Sequence, residues 1–212
     1  MLYFPALIFG VLLTIYWARV VRLVYKVRKT TGKSANFRPP ERLGRVLRFL
    51  WIPIVIIWIG QGYLAGLVPH DKLPWLVRPL FLNAVVSWLA VVVGVIALVA
   101  TMVCWKKMGK EWRMGINPDE KTQLIVSGPY AYVRHPIYAL SSILMLATVA
   151  AVPSPVMVAV GLVHLLLLQW EARREERYLV LHHGEAYADY RRRVGAFVPT
   201  SLNPYVPGRA DS

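Results

Sequence analysis

The chain has 212 residues, 57% of them hydrophobic, a formal charge of +14 and one cysteine, with a mean hydropathy of +0.46. That composition excludes an ordinary soluble domain. The basic residues gather in short segments between apolar runs, so the charge reads as a topology signal and a contact with anionic lipid, not as a footprint for nucleic acid. Cys104 has no disulfide partner and no Cys/His cluster has zinc-site spacing, so no metal is expected.

Residues from about Leu2 to Tyr25 are enough to cross a hydrocarbon core of roughly 30 Å at about 1.5 Å per residue. They carry no positive n-region and outrun a signal-peptide core, so a retained anchor is expected. Lys26 to Arg48 then carries Lys26, Arg28, Lys29, Lys33, Arg38, Arg42, Arg45 and Arg48 against Glu41, which predicts a cytoplasmic segment. Leu47 to Val68 is a second span, with Trp51 and Tyr63 towards its ends as interfacial aromatics. Its Gly60-Gln61-Gly62 reads as a close-packing site, with a ligand site as the alternative.

The connector Pro69 to Arg78 is poor in positive charge and belongs outside. A third span follows from about Pro79 to Trp105, where Asn83 and Ser87 are expected to join helices as polar glue. No Asp, Glu, Lys or Arg occupies the middle of a span, which argues against proton-coupled transport. Lys106 to Arg134 returns to the cytoplasm, with a turn at Asn117-Pro118-Asp119. Ile137 to Val152 and Val156 to Trp170, parted by Pro153-Ser154-Pro155, form a helical hairpin. Its His164 is open to two readings, a ligand-site residue or a hydrogen bond across the bundle. Beyond Trp170 the helix should continue into Glu171 to Leu181 and bend at Gly184. A short amphipathic helix, Glu185 to Val194, and a loosely ordered tail after Pro199 complete the chain.

The fold expected is an all-α integral membrane protein of about five transmembrane helices, the last two a hairpin, with cytoplasmic C-terminal amphipathic helices. It is one membrane domain, 1–105 holding spans one to three, 106–199 the hairpin core and 200–212 the tail. Five spans put the N-terminus outside and the C-terminus inside, so every strongly basic segment is cytoplasmic.

Between the spans lies Gly128 to Tyr138, Gly-Pro-Tyr-Ala-Tyr-Val-Arg-His-Pro-Ile-Tyr. Pro129 and Pro136 each remove a backbone donor and push the preceding residue out of the helical region, leaving free backbone groups beside Arg134 and His135. Such backbone either lines a cavity or is an ordinary connector. This stretch and the acidic helix after span five lie at the same end of one hairpin, hence at the same membrane face. A shared pocket would hold Arg134, His135, several tyrosines and Glu175 with Glu176. The alternative for the acids is a solvated face paired to Arg173, Arg174 and Arg177.

Gly128 to Tyr138, followed by Glu175-Glu176, Leu179, His183-Gly184-Glu185, Tyr187, Tyr190 and Val198-Pro199, closely resembles the isoprenylcysteine carboxyl methyltransferase and phospholipid methyltransferase superfamily. The resemblance covers roughly the C-terminal half. Two departures stand out: His183-Gly184 where the family often has Phe-Gly, and Leu140 where a Gly commonly follows, which would narrow the pocket. The resemblance implies S-adenosyl-L-methionine as methyl donor at the cytoplasmic face and a lipophilic acceptor entering from the bilayer, a prenylated-cysteine carboxylate or a lipid amine. It implies Tyr130, Tyr132, His135, Pro136, Tyr138, Glu175 and Glu176 as cofactor-binding, and Arg134 and Glu176 as catalytic, with Arg134 orienting an anionic group. A non-catalytic membrane subunit that binds lipid or a partner is the rival from another class.

Overall fold

The computed structural model describes residues 2–32, 35, 41–115 and 123–208. The turn expected at Asn117-Pro118-Asp119, together with Lys33, Arg38 and Lys121, lies outside the described residues. Among the described residues the regular elements are helical: α1 (Phe4–Thr31), α2 (Arg42–Leu67), α3 (Ala84–Met108), α4 (Pro136–Ala151), α5 (Pro155–His183) and α6 (Glu185–Arg193), with three short 3-10 turns. Four of them, α1, α2, α3 and α5, are long and apolar enough to cross a membrane, whereas α4 is an apolar helix of 16 residues.

Local chemistry sets the ends. Gly32 takes a left-handed conformation (φ 71°) and its N–H closes α1 on the Arg28 carbonyl. The third helix starts at Ala84, not at Pro79, because the Asn83 side chain accepts from Val86 N and caps it. Ser154 caps α5 in the same way through Met157 N, with Pro155 as first helical residue, so the Pro-Ser-Pro run does make the hairpin turn. Gly184 (φ 53°) ends α5 and opens α6.

The tightest helix contact joins α1 to α2. A Cβ on Gly62 would fall 2.6 Å from Gly10 N and one on Gly66 2.8 Å from Leu7 N, while one on Gly60 would meet nothing within 4 Å. The close-packing reading of Gly60-Gln61-Gly62 therefore holds at Gly62, and Gln61 between them donates to the Val77 carbonyl at 2.5 Å. Ser87 is buried and accepts from the Tyr3 hydroxyl, as expected of interhelical glue. His164 lies 3.1 Å from the Ser141 hydroxyl across the α4–α5 hairpin, which is the cross-bundle alternative.

The two ends of the bundle differ. At one end the 69–83 connector clasps the hairpin turn, Leu80 N bonding to Pro153 O and Val156 N to Leu76 O, and Tyr3 N joins them through Gly66 O. At the other end lie the start of α2, the end of α3, the Gly128–His135 stretch, the charged part of α5 and α6. The tail expected to be loose is pinned there at Tyr205, whose N–H donates to Ala131 O and whose hydroxyl donates to Asp189.

Gly62→Val is expected to push α1 from α2 and destabilise the protein by roughly 1–3 kcal/mol. Gly60→Ala, which lies outside that contact, should not lower the unfolding midpoint. Thermal unfolding of both in detergent checks this, and equal midpoints would refute the close crossing.

Candidate active site

The site begins as a backbone problem. Gly128 (φ 65°) and Pro129 open a 3-10 turn over Gly128–Ala131, and Pro136 starts α4. Between them Arg134 N and His135 N have no helical partner. The segment after α6 supplies one: Arg134 N bonds to Gly195 O and His135 N to Ala196 O, both at 2.9 Å, beside an isolated bridge between Val133 and Gly195. The fold-back that follows requires glycine, because a Cβ on Gly195 would lie 2.0 Å from Val198 O.

Side chains lock the same junction. Arg134 sends Nε to Glu176 Oε1 at 2.9 Å and Nη2 to the same oxygen at 2.7 Å. Its Nη1 donates to Arg191 O at 3.0 Å and also to Val194 O. Arg191 Nε meets the other Glu176 oxygen at 3.3 Å. His135 Nε2 lies 3.2 Å from Glu176 Oε1, and its ring stacks on Tyr138 with centroids 5.4 Å apart and planes 5° apart. Tyr138 donates its hydroxyl to Glu175 Oε2 at 3.1 Å. The two candidate segments thus do converge. The solvated-face alternative for Glu175 and Glu176 does not describe Glu176, which reaches across to Arg134 and His135; Arg174 is buried and pairs instead with Glu171 in its own helix and with Glu41.

Two cavities adjoin this junction. One, about 130 Å³, opens towards the bundle interior and has an aromatic wall that includes Tyr16, Trp17, Trp51, Trp105 and Trp112, with Arg48 and Glu171 among them. The other, about 80 Å³, lies towards α6, against Gln123, Leu124, Leu179, Tyr187 and Tyr190. Tyr130, Arg134, His135 and Glu175 belong to both walls. Several buried polar atoms on these walls have no partner among the described residues: Trp17 Nε1, Trp51 Nε1, Arg48 Nε and Glu171 Oε2 on the first, Tyr187 Oη on the second and Tyr130 Oη on both. An unmet buried polar group costs roughly 1–3 kcal/mol, so such a cluster around two cavities is what a ligand-binding site looks like. Burial pushes the phenols of Tyr130 and Tyr187 well above the usual range, and nearby carboxylates push the same way, so both stay protonated donors.

Of the residues singled out from the sequence, Tyr130, Arg134, His135, Pro136, Tyr138 and Glu175 line a cavity. Glu176 sits behind the wall, holding Arg134 and His135. Tyr132 is 39% exposed and lines neither cavity. Leu140 packs against the apolar core and lines neither, so it does not narrow them. The sequence reading missed the wall contributed by α1 to α3. Arg48 and Trp51 are one turn apart on a single face of α2, and that i, i+3 pairing was the available signal. Glu176→Ala should cost roughly 3–5 kcal/mol, because it leaves the Arg134 guanidinium buried without its carboxylate. Glu185→Gln, on a side chain 81% exposed, should leave the unfolding midpoint in place. Parallel denaturation of the two variants is the measurement.

Residues 86–181 match the model of the isoprenylcysteine carboxyl methyltransferase (ICMT) family. The matched segment runs from the first turn of α3 through most of α5, so it includes the Arg134-His135-Pro136 turn and Glu171 to Glu176. The chain is also similar to the nickel-cobalt-cadmium resistance protein NccN of Alcaligenes xylosoxydans xylosoxydans, 28% identical over 93 residues, 43% of this chain and 44% of that protein. It thus spans less than half the length of that relative. Among the described residues of this chain no group of three or more His, Cys, Asp or Glu side chains could hold a metal ion. Through the segment 86–181, with its proline-broken turn facing the acidic helix, the chain is similar to the isoprenylcysteine carboxyl methyltransferase family.

Proposed function

We propose that the protein methylates a lipophilic, membrane-embedded acceptor with S-adenosyl-L-methionine as donor, most like carboxyl O-methylation of an isoprenylcysteine-type substrate. The observation that carries this reading is the pair of cavities with a common wall at Tyr130, His135 and Glu175, each bordered by unpartnered buried polar atoms. When bound, the donor supplies a methyl group on a sulfonium. The chain would hold it against the α6 side: the Tyr130 and Tyr187 hydroxyls offer hydrogen bonds, and Glu175, steadied by Tyr138, offers a carboxylate to an amino or ribose group. His135 separates the two chambers, its ring set by Glu176 and by the stack on Tyr138.

The aromatic chamber would take the acceptor. Its indoles exclude water from the reacting groups, and an in-line displacement gains most from holding both reactants in register in a dry site. Arg134 and Glu176 act here as positioning residues, since every contact they make ties the turn to α5 and α6. The unpartnered Glu171 Oε2 favours a second reading, a lipid amine that hands its proton to a carboxylate before methylation.

The sidedness proposed is five crossings with α4 as the fourth, the N-terminus outside, the C-terminus and the site cytoplasmic. The bilayer is a partner throughout. Under this reading an impermeant reagent on intact cells should label a tag placed after Pro155 and not one at the C-terminus. Labelling of the C-terminal tag would overturn the orientation.

Titration calorimetry in detergent tests the donor site. His135→Ala should weaken S-adenosyl-L-methionine binding by about ten- to a hundredfold, the worth of one hydrogen bond to a charged group. Tyr132→Phe, off both walls, should bind as the parent does. No measurable binding to the unsubstituted protein would sink the methyl-transfer reading in favour of a non-catalytic membrane subunit.

A further inference from the structure

We propose that Arg48 receives the acidic group of the acceptor, holding one carboxylate oxygen on its Nε–H inside the aromatic chamber and leaving the second oxygen free to be methylated. This rests on the methyl-transfer reading above, and it assigns the acceptor's charge and the residue that recognises it.

Three guanidinium groups reach the chamber wall, those of Arg48, Arg113 and Arg134. Arg134 is committed to Glu176 and two carbonyls, and Arg113 is drawn to Glu111 at 3.5 Å. Among the described residues Arg48 is paired with no carboxylate. Its Nη2 donates to Met114 O at 2.9 Å and its Nη1 lies 3.8 Å from Met114 Sδ. These contacts fix the guanidinium plane and leave Nε buried without a partner.

The inventory of unmet atoms around the chamber decides the sign of the ligand. Trp17 Nε1, Trp51 Nε1 and Arg48 Nε can only donate, and Tyr130 Oη can do either. Glu171 Oε2 is the one acceptor-only atom in that set, and Glu171 already has Arg174 beside it at 2.9 Å. An amine brings donors to a wall that chiefly offers donors. A carboxylate brings the acceptors that the wall lacks, and a charge-assisted bond to a guanidinium is the strongest single contact available there.

The arrangement also suits the chemistry. A carboxylate oxygen forms the new bond to the methyl carbon as the donor's carbon–sulfur bond breaks, with the electron pair left on sulfur and no proton transferred. The acceptor loses its charge in that step, so its bond to Arg48 is strongest before reaction and weaker with the neutral ester. Loss of Arg48 should therefore appear in the KM for acceptor more than in kcat.

The test uses the full-length protein in detergent and reads quenching of its tryptophan fluorescence, since Trp17, Trp51, Trp105 and Trp112 line the chamber. The probes are N-acetyl-S-farnesylcysteine, its primary amide and S-farnesylcysteamine. The unsubstituted protein should bind the acid roughly ten- to a hundredfold more tightly than the amide or the amine. In Arg48→Met and Arg48→Gln that preference should fall towards unity. The glutamine variant keeps a donor for the Met114 carbonyl and carries the test if the methionine variant does not fold. An acid preference that survives in the folded variant, equal or tighter binding of the amine by the parent, or no binding of the acid at all would each overturn the proposal. Failure of the underlying reading looks different, because the donor titration would then be silent while the acid preference could still be measured.

Discussion

Arg134 directs its guanidinium wholly inward, Nε and Nη2 to one oxygen of Glu176 and Nη1 to the carbonyls of Arg191 and Val194. Three parts of the chain far apart in sequence are thereby fixed by one planar group: the turn before α4, the charged stretch of α5 and the end of α6. Two largely buried charges are costly to desolvate, and their attraction repays that only when the remaining donors and lone pairs are also met. Here they are, through His135 and Arg191 on the carboxylate and two main-chain carbonyls on the guanidinium. The position of His135, Tyr138 and Glu175 on the cavity wall follows from that cross-link.

Proline creates the need for it. With Pro129 and Pro136 interrupting the approach to α4, the backbone at Arg134 and His135 cannot be satisfied by a helix, and beside a membrane it must find partners within the protein. Gly195 and Ala196 provide them, and only a glycine allows the chain to fold back so closely on Val198. The same return brings Tyr190 under Tyr130, whose carbonyl it caps at 2.5 Å, and carries the chain on to Tyr205, which lies beneath the Arg193 guanidinium. A tail that looks polar and unconstrained in the sequence thus packs at Tyr205 against the tyrosines of α6.

Much of this was legible because it is local. Proline and serine at 153–155 give the hairpin turn, Gly184 the break between α5 and α6, and the common end of the hairpin the meeting of the Arg-His-Pro turn with the acids. The start of α3 was misjudged because apolar composition continues through Leu80 to Leu82, while the Asn83 cap decides where the helix begins. The aromatic wall was less visible. A tryptophan near the end of a span has the same sequence signature whether it faces lipid headgroups or a cavity, and Trp51, read as the former, stands edge-on to His164 with centroids 5.6 Å apart. Arg48 was absorbed into a run of topology-setting cations for the same reason. Which member of such a run turns inward is decided by helix packing across other elements, and the shared face with Trp51 was the one local hint of it.

The charged end of the bundle accordingly holds two kinds of arginine. Arg134 and Arg174 each bind carboxylates of the protein, Arg174 linking Glu41 at the start of α2 to Glu171 on α5. Both charges are thereby compensated, so a ligand anion could draw on them only by competing with a carboxylate of the protein, at a cost comparable to the strength of the new bond. Arg48 is held in place by a carbonyl and a thioether, neither of which cancels its charge. The resemblance to a methyltransferase superfamily draws attention to Arg134 as the cation of the site, since it stands in the recognisable motif. Counting partners reverses that order: the arginine in the motif builds the wall, and the one outside it is left to meet the substrate.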